Sequence, residues 1–323
     1  MIQLEVEVLR REDVHKVTKA FQRDIISKYR YDKYIPKEYF VRLFSEKIRS
    51  ILSTGKSIAL KLLKNTNLLA IAILEWSQWD SKILNSNVAK LQLLVDSYLA
   101  KYDFTRFLKH IHNIAIDFGF DVIFSRVALS NIKIIQWMLE ENYFLADILI
   151  TLNKFIQKNT EVKDCTENKE ICIDNASLKD EPHLIEITRG AYVFSHYYTD
   201  PHISFELAEK VYEEWIRNSL RGYADFIIVA RHKGTVLGYV TCKLKKIYDK
   251  TLGIIDLIAV RKDQRGKGIG SRLIDAALVR LANKTQTIYV ATQAQNISAL
   301  RLYEKKGFRI ISSEATLHKW LSK

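Results

Sequence analysis

The sequence contains few of the residues that stabilise secreted or metal-bound folds. Only three cysteines, Cys165, Cys172 and Cys242, occur in 323 residues, and none lies in a CxxC or Cys/His spacing. The sequence therefore predicts neither a disulfide framework nor a zinc site, and no metal is expected. A reducing cytoplasm is the compartment that this cysteine usage favours.

The sequence also has no long hydrophobic run, and a signal peptide is not expected at its start. The first residues, MIQLEVEVLRRED, alternate and carry charge too early for a signal peptide. No apolar run approaches the roughly 18 residues of a membrane span. With 11 Gly, 3 Pro and 48% hydrophobic residues, the composition excludes collagen-like and disordered chains. We expect a soluble protein of two domains without a membrane partner.

The positive charge is concentrated at one end of the chain. Residues 1–230 contain 31 basic and 31 acidic residues, whereas residues 231–323 contain 19 basic and 6 acidic ones. This surplus indicates an anionic partner, either nucleic acid or a phosphorylated small molecule, unless it is only a solvated basic face. The segment contains no zinc-finger spacing, no RNP-like strand and no clear helix-turn-helix, so sequence-specific nucleic-acid binding is not expected.

A glycine-rich turn lies within this basic segment. Residues 251–260, TLGIIDLIAV, are typical of a buried strand, and SRLIDAALVRLA at 271–282 has the apolar spacing of a helix. Between them, Gly266, Gly268 and Gly270 lie where backbone N–H groups and a helix N-terminus can converge on a phosphate. The turn is neither a Walker A loop nor a dinucleotide-binding GxGxxG, so it indicates a different pyrophosphate site.

Two motifs resemble signatures of the GNAT superfamily of acetyl-CoA-dependent N-acetyltransferases. Residues 264–270, QRGKGIG, are similar to its (Q/R)xxGxG/A motif, and residues 296–308, NISALRLYEKKGF, are similar to its NxxAxxLYxxxGF motif. The second segment also has a helix N-cap at Asn296 and a terminating Gly307. The order and spacing of the motifs are those of the superfamily.

The resemblance implies where acetyl-CoA binds and how the reaction proceeds. The diphosphate would lie on the glycine turn, the pantetheine arm would pair with a strand edge and with Asn296, and Tyr303 would protonate the departing thiolate. The residues implied in cofactor binding are Ile258, Ala259, Val260, Gln264, Arg265, Gly266, Lys267, Gly268, Ile269, Gly270 and Asn296. Asp256 is the candidate general base because it is the one ionisable side chain in residues 251–260, although it could equally cap a neighbouring element.

An internal repeat relates the two halves of the chain. A shift of 165 residues aligns several positions: Val95 with Val260, Leu108 with Leu273, Ile123 with Ile288, Asn131 with Asn296, Tyr143 with Phe308, and Thr151-Leu152 with Thr316-Leu317. The same shift places Lys101, Asp103 and Thr105 on the three turn glycines and Met138 on Tyr303. The first copy is therefore expected to be a degenerate GNAT-like domain without the usual cofactor site.

The order of predicted elements gives the domain limits. Strands are predicted at 2–10, 57–65, 67–76 and 86–95, with helices near 11–30 and 37–53, followed by helix, strand, helix and strand to Leu152. We predict an α/β protein of two tandem GNAT-like domains, each with a mixed sheet flanked by helices. The limits are residues 1–155 for the degenerate copy, 156–169 for a polar linker and 170–323 for the catalytic domain.

An aromatic and polar stretch, FSHYYTDP at residues 194–201, lies where GNAT folds admit the acceptor. It resembles the corresponding part of acetyltransferases that act on a nucleotide-linked 4-amino-4,6-dideoxy sugar. Under that resemblance Ser195, His196, Tyr198 and Asp200 bind the sugar, although a loop held by its own hydrogen bonds explains them equally well. A helix is predicted at 203–220.

The function expected from the sequence is acetyl transfer from acetyl-CoA to a primary amine by direct attack. A nucleotide-linked amino sugar is the favoured acceptor, and another small amine or a protein amine is the alternative within the enzyme class. A module that senses acyl-CoA without turnover is the alternative outside it. The sequence leaves the oligomeric state open.

Overall fold

The structure, a computed structural model, describes residues 4–27, 31–53, 57–156 and 171–321. These residues group into two compact units: unit 1 comprises Met1–Ile148 and Ser312–Lys323, and unit 2 comprises Leu149–Ile311. The predicted linker, 156–169, lies outside the described residues except for Ile156. The predicted domain limits, residues 1–155 and 170–323, stay a prediction. In the two compact units, the segment from Leu149 groups with unit 2 and the segment from Ser312 groups with unit 1.

Strands and helices alternate through both units. The strands are β1 Leu4–Val8, β2 Ser57–Lys64, β3 Asn67–Trp76, β4 Val88–Val95, β5 Val122–Ala128, β6 Phe144–Phe155, β7 Ile171–Asn175, β8 Phe226–His232, β9 Thr235–Ile247, β10 Lys250–Val260, β11 Thr287–Gln293 and β12 Arg309–Trp320. The helices are α1 Val14–Ala20, α2 Gln22–Ser27, α3 Lys37–Ile51, α4 Gln78–Leu84, α5 Lys101–Asp117, α6 Ile132–Glu140, α7 Glu181–Thr188, α8 His196–Thr199, α9 Phe205–Asn218, α10 Ile269–Ala282 and α11 Ile297–Lys305.

Unit 1 contains a mixed sheet in the order β1-β2-β3-β4-β5-β12. Neighbouring strands are antiparallel except β4 and β5, which pair in parallel from Val88 to Leu91. The residues Glu314–Trp320 of β12 complete the sheet against β5. Apolar side chains of α5 and α6, such as Phe104, Phe107 and Met138, are buried in the core of this unit.

Unit 2 contains a sheet of the same kind in the order β6-β11-β10-β9-β8-β7, to which β6 contributes Leu149–Phe155. The parallel pair is β10 and β11. Leu273, Ile274 and Leu281 of α10 pack in its core, as their helical spacing predicts. The α/β fold class with a mixed sheet and flanking helices is confirmed.

The predicted elements of the first half agree closely with the structure, with one omission. Each of the strands predicted at 57–65, 67–76 and 86–95 ends within two residues of its observed bounds. The sequence prediction missed α4, a seven-residue helix between β3 and β4. Residues 2–3 of the first predicted strand and 28–30 of the first predicted helical region lie outside the described residues.

Unit 1 lacks the glycine turn at the position that the repeat predicts. Helix α5 begins after Ala100, whose φ of −72° lies outside the left-handed region that the turn glycines of the second unit adopt. The carboxylate of Asp103 lies in the first turn of α5 and forms an ion pair with Lys64 at 2.9 Å. A negative charge at the start of this helix disfavours a bound phosphate. The absence of acetyl-CoA binding by unit 1 stays a prediction.

No helix within the four described ranges is long and apolar enough to cross a membrane.

Candidate active site

The glycine turn follows β10 directly and opens α10. A short 3₁₀ turn at Lys262–Gln264 leads into Gly266 and Gly268, whose φ angles are +78° and +80°. A side chain is strained in this left-handed region, and Gly268 is also the N-cap of α10. A Cβ on either glycine would meet no atom within 4 Å, so the conformation and not the packing requires glycine here.

Backbone donors at the start of α10 have no partner among the described residues. The hydrogen bonds of the helix begin with the Arg272 N–H, which donates to the Gly268 carbonyl. The N–H groups of Ile269 and Gly270 therefore remain available to a ligand. Together with the positive end of the helix dipole, these groups could bind an anion. The arrangement fits the diphosphate of a coenzyme A molecule.

Basic side chains surround this turn, and they are held by local contacts. Arg265 Nε donates to the Val260 carbonyl at 3.1 Å, and Lys267 Nζ donates to Gln264 Oε1 at 3.0 Å. Arg261 pairs with Asp263 at 3.2 Å. The cations therefore remain close to the turn, where they favour a negatively charged ligand.

The two parallel strands separate next to the turn. Pairing of β10 with β11 covers Gly253–Ile255 and Ile288–Val290, although the strands continue to Val260 and Gln293. On its other side, β10 stays paired with β9 up to Val260. The strand edge at 258–260 is thus not paired with β11, and an extended ligand could add hydrogen bonds to it. Pantetheine binding at this edge stays a prediction.

A β-bulge at Asp256 and Leu257 precedes this free edge. The register of β10 against β9 skips from Ile255 to Ile258, so two residues of β10 lie opposite the single residue Thr241 of β9. Thr241 Oγ1 accepts a hydrogen bond from the Leu257 N–H at 2.9 Å. The bulge bends the end of β10, and such bulges are common next to functional sites.

Helix α11 carries the second motif. Asn296 is its N-cap, and the Asn296 Oδ1 accepts from the Ala299 N–H at 3.2 Å and from Ser298 Oγ at 3.0 Å. The Asn296 amide nitrogen has no partner in the described part of the chain. Asn296 therefore combines the predicted capping role with a donor that a ligand can use, and its role in pantetheine binding stays a prediction.

Tyr303 lies on the buried face of α11. Its side chain is 2% exposed, and its ring packs edge-on against Phe308 with centroids 5.8 Å apart. The Tyr303 hydroxyl makes no hydrogen bond within the described ranges. Burial raises the pKa of Tyr303 far above its usual range, so the phenol stays protonated and can donate.

Asp256 faces α9 and is already engaged by two groups. Its Oδ2 lies 2.7 Å from Lys243 Nζ and accepts a hydrogen bond from Trp215 Nε1 at 2.9 Å. Lys243 Nζ also lies 3.3 Å from the centroid of the Tyr223 ring. Only Asp256 Oδ1 is without a partner among the described residues, so the predicted base role depends on that oxygen.

The predicted acceptor residues lie together in and around α8, and two of them hold the loop. Tyr198 donates to Glu209 Oε1 at 2.6 Å, and Asp200 Oδ1 accepts from the His202 N–H at 2.9 Å. The His196 ring packs on Tyr197 with centroids 4.0 Å apart. Ser195 is buried, and its Oγ makes no hydrogen bond in the described structure. The sugar-binding roles of these residues stay predictions.

A group of tyrosines interacts with Tyr303 and was not predicted from the sequence. Tyr192 interacts electrostatically with Tyr303, its ring stacks on Tyr212 at 4.3 Å, and its hydroxyl lies 3.0 Å from that of Tyr239. Tyr192 lies two residues before the aromatic stretch at 194–201, and Tyr239 lies in β9. The cluster of aromatic residues at 192–198 is the one feature of the sequence that indicates this group.

Cys242 is excluded as a nucleophile by its position. It is fully buried in β9 opposite Ile255, and burial raises the pKa of its thiol far above the usual range. Across the described ranges, no group of three or more His, Cys, Asp or Glu residues could hold a metal ion.

A glycine turn after a bulged strand, a splayed parallel pair and a capped helix with a buried tyrosine define the acyl-CoA-binding GNAT class of transferase. The family model described as "Acetyltransferase (GNAT) family" matches residues 189–308. The chain belongs to this family and is an acetyl-CoA-dependent N-acetyltransferase.

Three curated proteins are similar in sequence. The spore coat polysaccharide biosynthesis protein SpsD of Bacillus subtilis is 28% identical over 87% of this chain and 94% of its own length. The dTDP-fucosamine acetyltransferase of Escherichia coli O6:H1 is 27% identical over 45% of this chain and 61% of its own. The N-alpha-acetyltransferase 30 of Schizosaccharomyces pombe is 32% identical over 33% and 72%, respectively.

Two solved structures share the fold over nearly the whole chain. A GCN5-related N-acetyltransferase from Sphaerobacter thermophilus has a TM-score of 0.65 at 13% identity and covers 99% of this chain and 96% of its own. A tandem GNAT protein from the clavulanic acid biosynthesis pathway has a TM-score of 0.54 at 12% identity and covers 99% of both chains. At these identities the likeness concerns the fold alone, and it confirms the tandem arrangement.

Proposed function

We propose that the protein transfers the acetyl group of acetyl-CoA to the primary amine of a nucleotide-linked 4-amino-dideoxy sugar. The observation that carries this choice is the likeness to the SpsD protein, which extends over 87% of this chain and concerns a polysaccharide biosynthesis protein. The likeness to a dTDP-fucosamine acetyltransferase supports the same class of acceptor.

In this proposal the glycine turn and the strand edge bind the acetyl donor. The N–H groups of Gly266, Gly268, Ile269 and Gly270 hold the diphosphate, and the basic side chains of the turn add positive potential. The backbone of residues 258–260 and the Asn296 amide hold the pantetheine arm. Acetyl-CoA supplies the activated acyl group as a thioester.

The chemical step uses side chains on either side of the splay. The amine nitrogen attacks the thioester carbonyl, and a backbone N–H at 258–260 stabilises the negative charge on the carbonyl oxygen. Tyr303 donates its proton to the departing sulfur, and Asp256 Oδ1 accepts the proton that the amine loses. In this direct attack the acetyl group passes from sulfur to nitrogen without an acyl-enzyme, and Cys242 takes no part because it is buried and burial raises the pKa of its thiol.

The loop around α8 contacts the sugar in this proposal. Tyr198 and Asp200 keep the loop in place through their own hydrogen bonds, while Ser195 and His196 are assigned to the acceptor pocket. The basic surplus of residues 231–323 attracts an acceptor that carries phosphates.

A protein amine is a second candidate acceptor because an N-alpha-acetyltransferase is 32% identical over part of the chain. A sensor without turnover is disfavoured, since the buried Tyr303 hydroxyl, which the chemical step would use, is not needed for binding alone.

The test is a CoA-release assay with acetyl-CoA and three acceptors: dTDP-4-amino-4,6-dideoxygalactose, glucosamine and a peptide with a free N-terminus. The proposal predicts that the sugar nucleotide has the highest kcat/KM. A higher kcat/KM for the peptide would move the function to protein acetylation. Binding of acetyl-CoA without CoA release for any amine would favour a sensor and overturn the proposal.

A further inference from the structure

A chain of hydrogen-bonded hydroxyls runs from the neighbourhood of Tyr303 to the backbone of α7. The Tyr192 hydroxyl lies 3.0 Å from that of Tyr239, and the Tyr239 hydroxyl lies 2.6 Å from Thr188 Oγ1. Thr188 Oγ1 in turn donates to the Leu184 carbonyl at 2.7 Å. Three elements are joined by this chain: α7, the segment after it, and β9.

The last bond of the chain fixes the direction of every proton in it. A backbone carbonyl only accepts, so Thr188 uses its single proton on Leu184. Thr188 must then accept from Tyr239, and Tyr239, having used its own proton, must accept from Tyr192. The Tyr192 hydroxyl therefore donates to Tyr239, and its oxygen is left with lone pairs that can only accept a further hydrogen bond.

Within the described residues, no second donor reaches the Tyr192 oxygen, and its ring is held in place. Tyr192 stacks on Tyr212 with an interplanar angle of 9°, which limits rotation of the ring. Tyr192 is partly exposed, whereas Tyr239 is fully buried. Of the two tyrosines, therefore, only Tyr192 has surface that a ligand could contact.

The chain lies at the reacting end of the site. Tyr239 is the register partner of Ala259, which belongs to the strand edge proposed for pantetheine. Tyr192 is close enough to Tyr303 for the two hydroxyls to interact electrostatically. One hydroxyl that is free to donate, on Tyr303, thus lies near one that is set to accept, on Tyr192.

We propose that Tyr192 positions the acceptor amine by accepting a hydrogen bond from its N–H, and that Thr188 and Tyr239 fix Tyr192 in this accepting state. The inference rests on the proposed acetyl transfer to an amine. An N–H held by Tyr192 fixes the orientation of the nitrogen and of the lone pair that attacks the thioester.

Tyr192 acts as a positioning residue and not as a base. The chain ends at the Leu184 carbonyl, which cannot take up a proton, so the hydroxyls do not form a path for proton removal. Burial and the neighbouring Tyr239 also hold the pKa of Tyr192 well above its ordinary value, which keeps the phenol neutral. Loss of the Tyr192 hydroxyl should therefore change binding of the amine and not the pH dependence of turnover.

Steady-state kinetics of the full-length protein with dTDP-4-amino-4,6-dideoxygalactose test the inference. Tyr192→Phe removes the acceptor oxygen, and Thr188→Val removes the hydroxyl that sets the direction of the chain while preserving side-chain shape. Each should raise the KM for the sugar nucleotide roughly five- to tenfold, the effect of one hydrogen bond. The dissociation constant of acetyl-CoA and the pH profile of kcat should not change.

Three further variants separate the direction of the protons from simple packing. Thr188→Ser retains the hydroxyl and should restore the native KM. Tyr143→Phe removes a buried phenol in unit 1, where the Tyr143 hydroxyl lies 3.1 Å from His112 Nε2, and should have no effect. The double variant of Tyr192→Phe with Thr188→Val should be no worse than Tyr192→Phe alone, because the second change acts only through Tyr192.

The outcomes distinguish this inference from the proposed function. A native KM for Tyr192→Phe, in a protein that does acetylate the sugar nucleotide, overturns the inference and leaves the function intact. Additive effects of the two changes overturn the role of Thr188 in setting the direction. Native protein that acetylates none of the amines tested overturns the proposed function, and the inference with it.

Discussion

Gly238 of β9 lies against the backbone of Ala259 so closely that a Cβ added to Gly238 would come within 2.8 Å of the Ala259 carbonyl oxygen. The contact is at the end of β10, where the strand leaves β11 and approaches the glycine turn. A side chain at Gly238 would push this strand edge away from its position. The small residue therefore matters for the site as well as for the sheet.

Gly238→Ala should destabilise the protein by about 1–3 kcal/mol, since backbone and not a flexible side chain must yield. It should also weaken acetyl-CoA binding, because residues 258–260 move. Thermal unfolding and calorimetric titration measure the two effects. Gly270→Ala is the stability control: its Cβ would meet Leu302 and Val260 at 3.6 and 3.8 Å, which are ordinary contacts, so Tm should not fall. Equal losses of Tm in both variants would contradict the argument.

Gly268→Asp should abolish acetyl-CoA binding, because it adds a negative charge and backbone strain where the diphosphate is expected. Gly234→Asp is a matched control, since Gly234 has a φ of +83° against +80° for Gly268 and a Cβ on either meets no atom within 4 Å. The control should lose similar stability and keep its affinity. Affinity that survives in Gly268→Asp, measured by calorimetry, would show that the anion site was assigned wrongly.

Tyr303→Phe should lower kcat by about 10²-fold and leave the dissociation constant of acetyl-CoA nearly unchanged, as expected for a general acid. Burial raises the pKa of Tyr303, so the protonated form persists above its ordinary value of about 10. Native turnover should therefore not decline through loss of this proton as the pH approaches that value. Single-turnover rates across alkaline pH provide the measurement, and an unchanged rate in Tyr303→Phe would remove the acid role.

Asp256→Asn and Lys243→Gln separate catalysis by Asp256 from its structural ion pair. Both changes break the 2.7 Å contact and should lower Tm similarly. If Asp256 Oδ1 takes the proton from the amine, only Asp256→Asn should reduce kcat, by roughly 10²-fold or more. Equal kcat losses for the two variants at equal folded fractions would assign Asp256 a structural role.

The sequence predicts the parts of the site that depend on residues close together in the chain. The glycine turn and the capped helix each need only local patterns, and both lie where residues 264–270 and 296–308 place them. The short α4 escaped prediction because its seven residues lie between two strands and give little periodic signal.

Features that depend on distant residues could not be predicted from the sequence. The ion pair of Asp256 joins neighbouring strands, and the hydroxyl chain of Tyr192 joins a strand to a helix 51 residues away, from Thr188 to Tyr239. The inclusion of residues 312–323 in unit 1 likewise follows from strand pairing of Glu314–Trp320 and not from chain order.

The most direct test of the account is a crystal structure of the protein with coenzyme A. The account predicts diphosphate oxygens at about 3 Å from the backbone nitrogens of Gly266, Gly268, Ile269 and Gly270. It also predicts the pantetheine arm along residues 258–260. A diphosphate bound away from this turn, for instance at the start of α5 in unit 1, would contradict it.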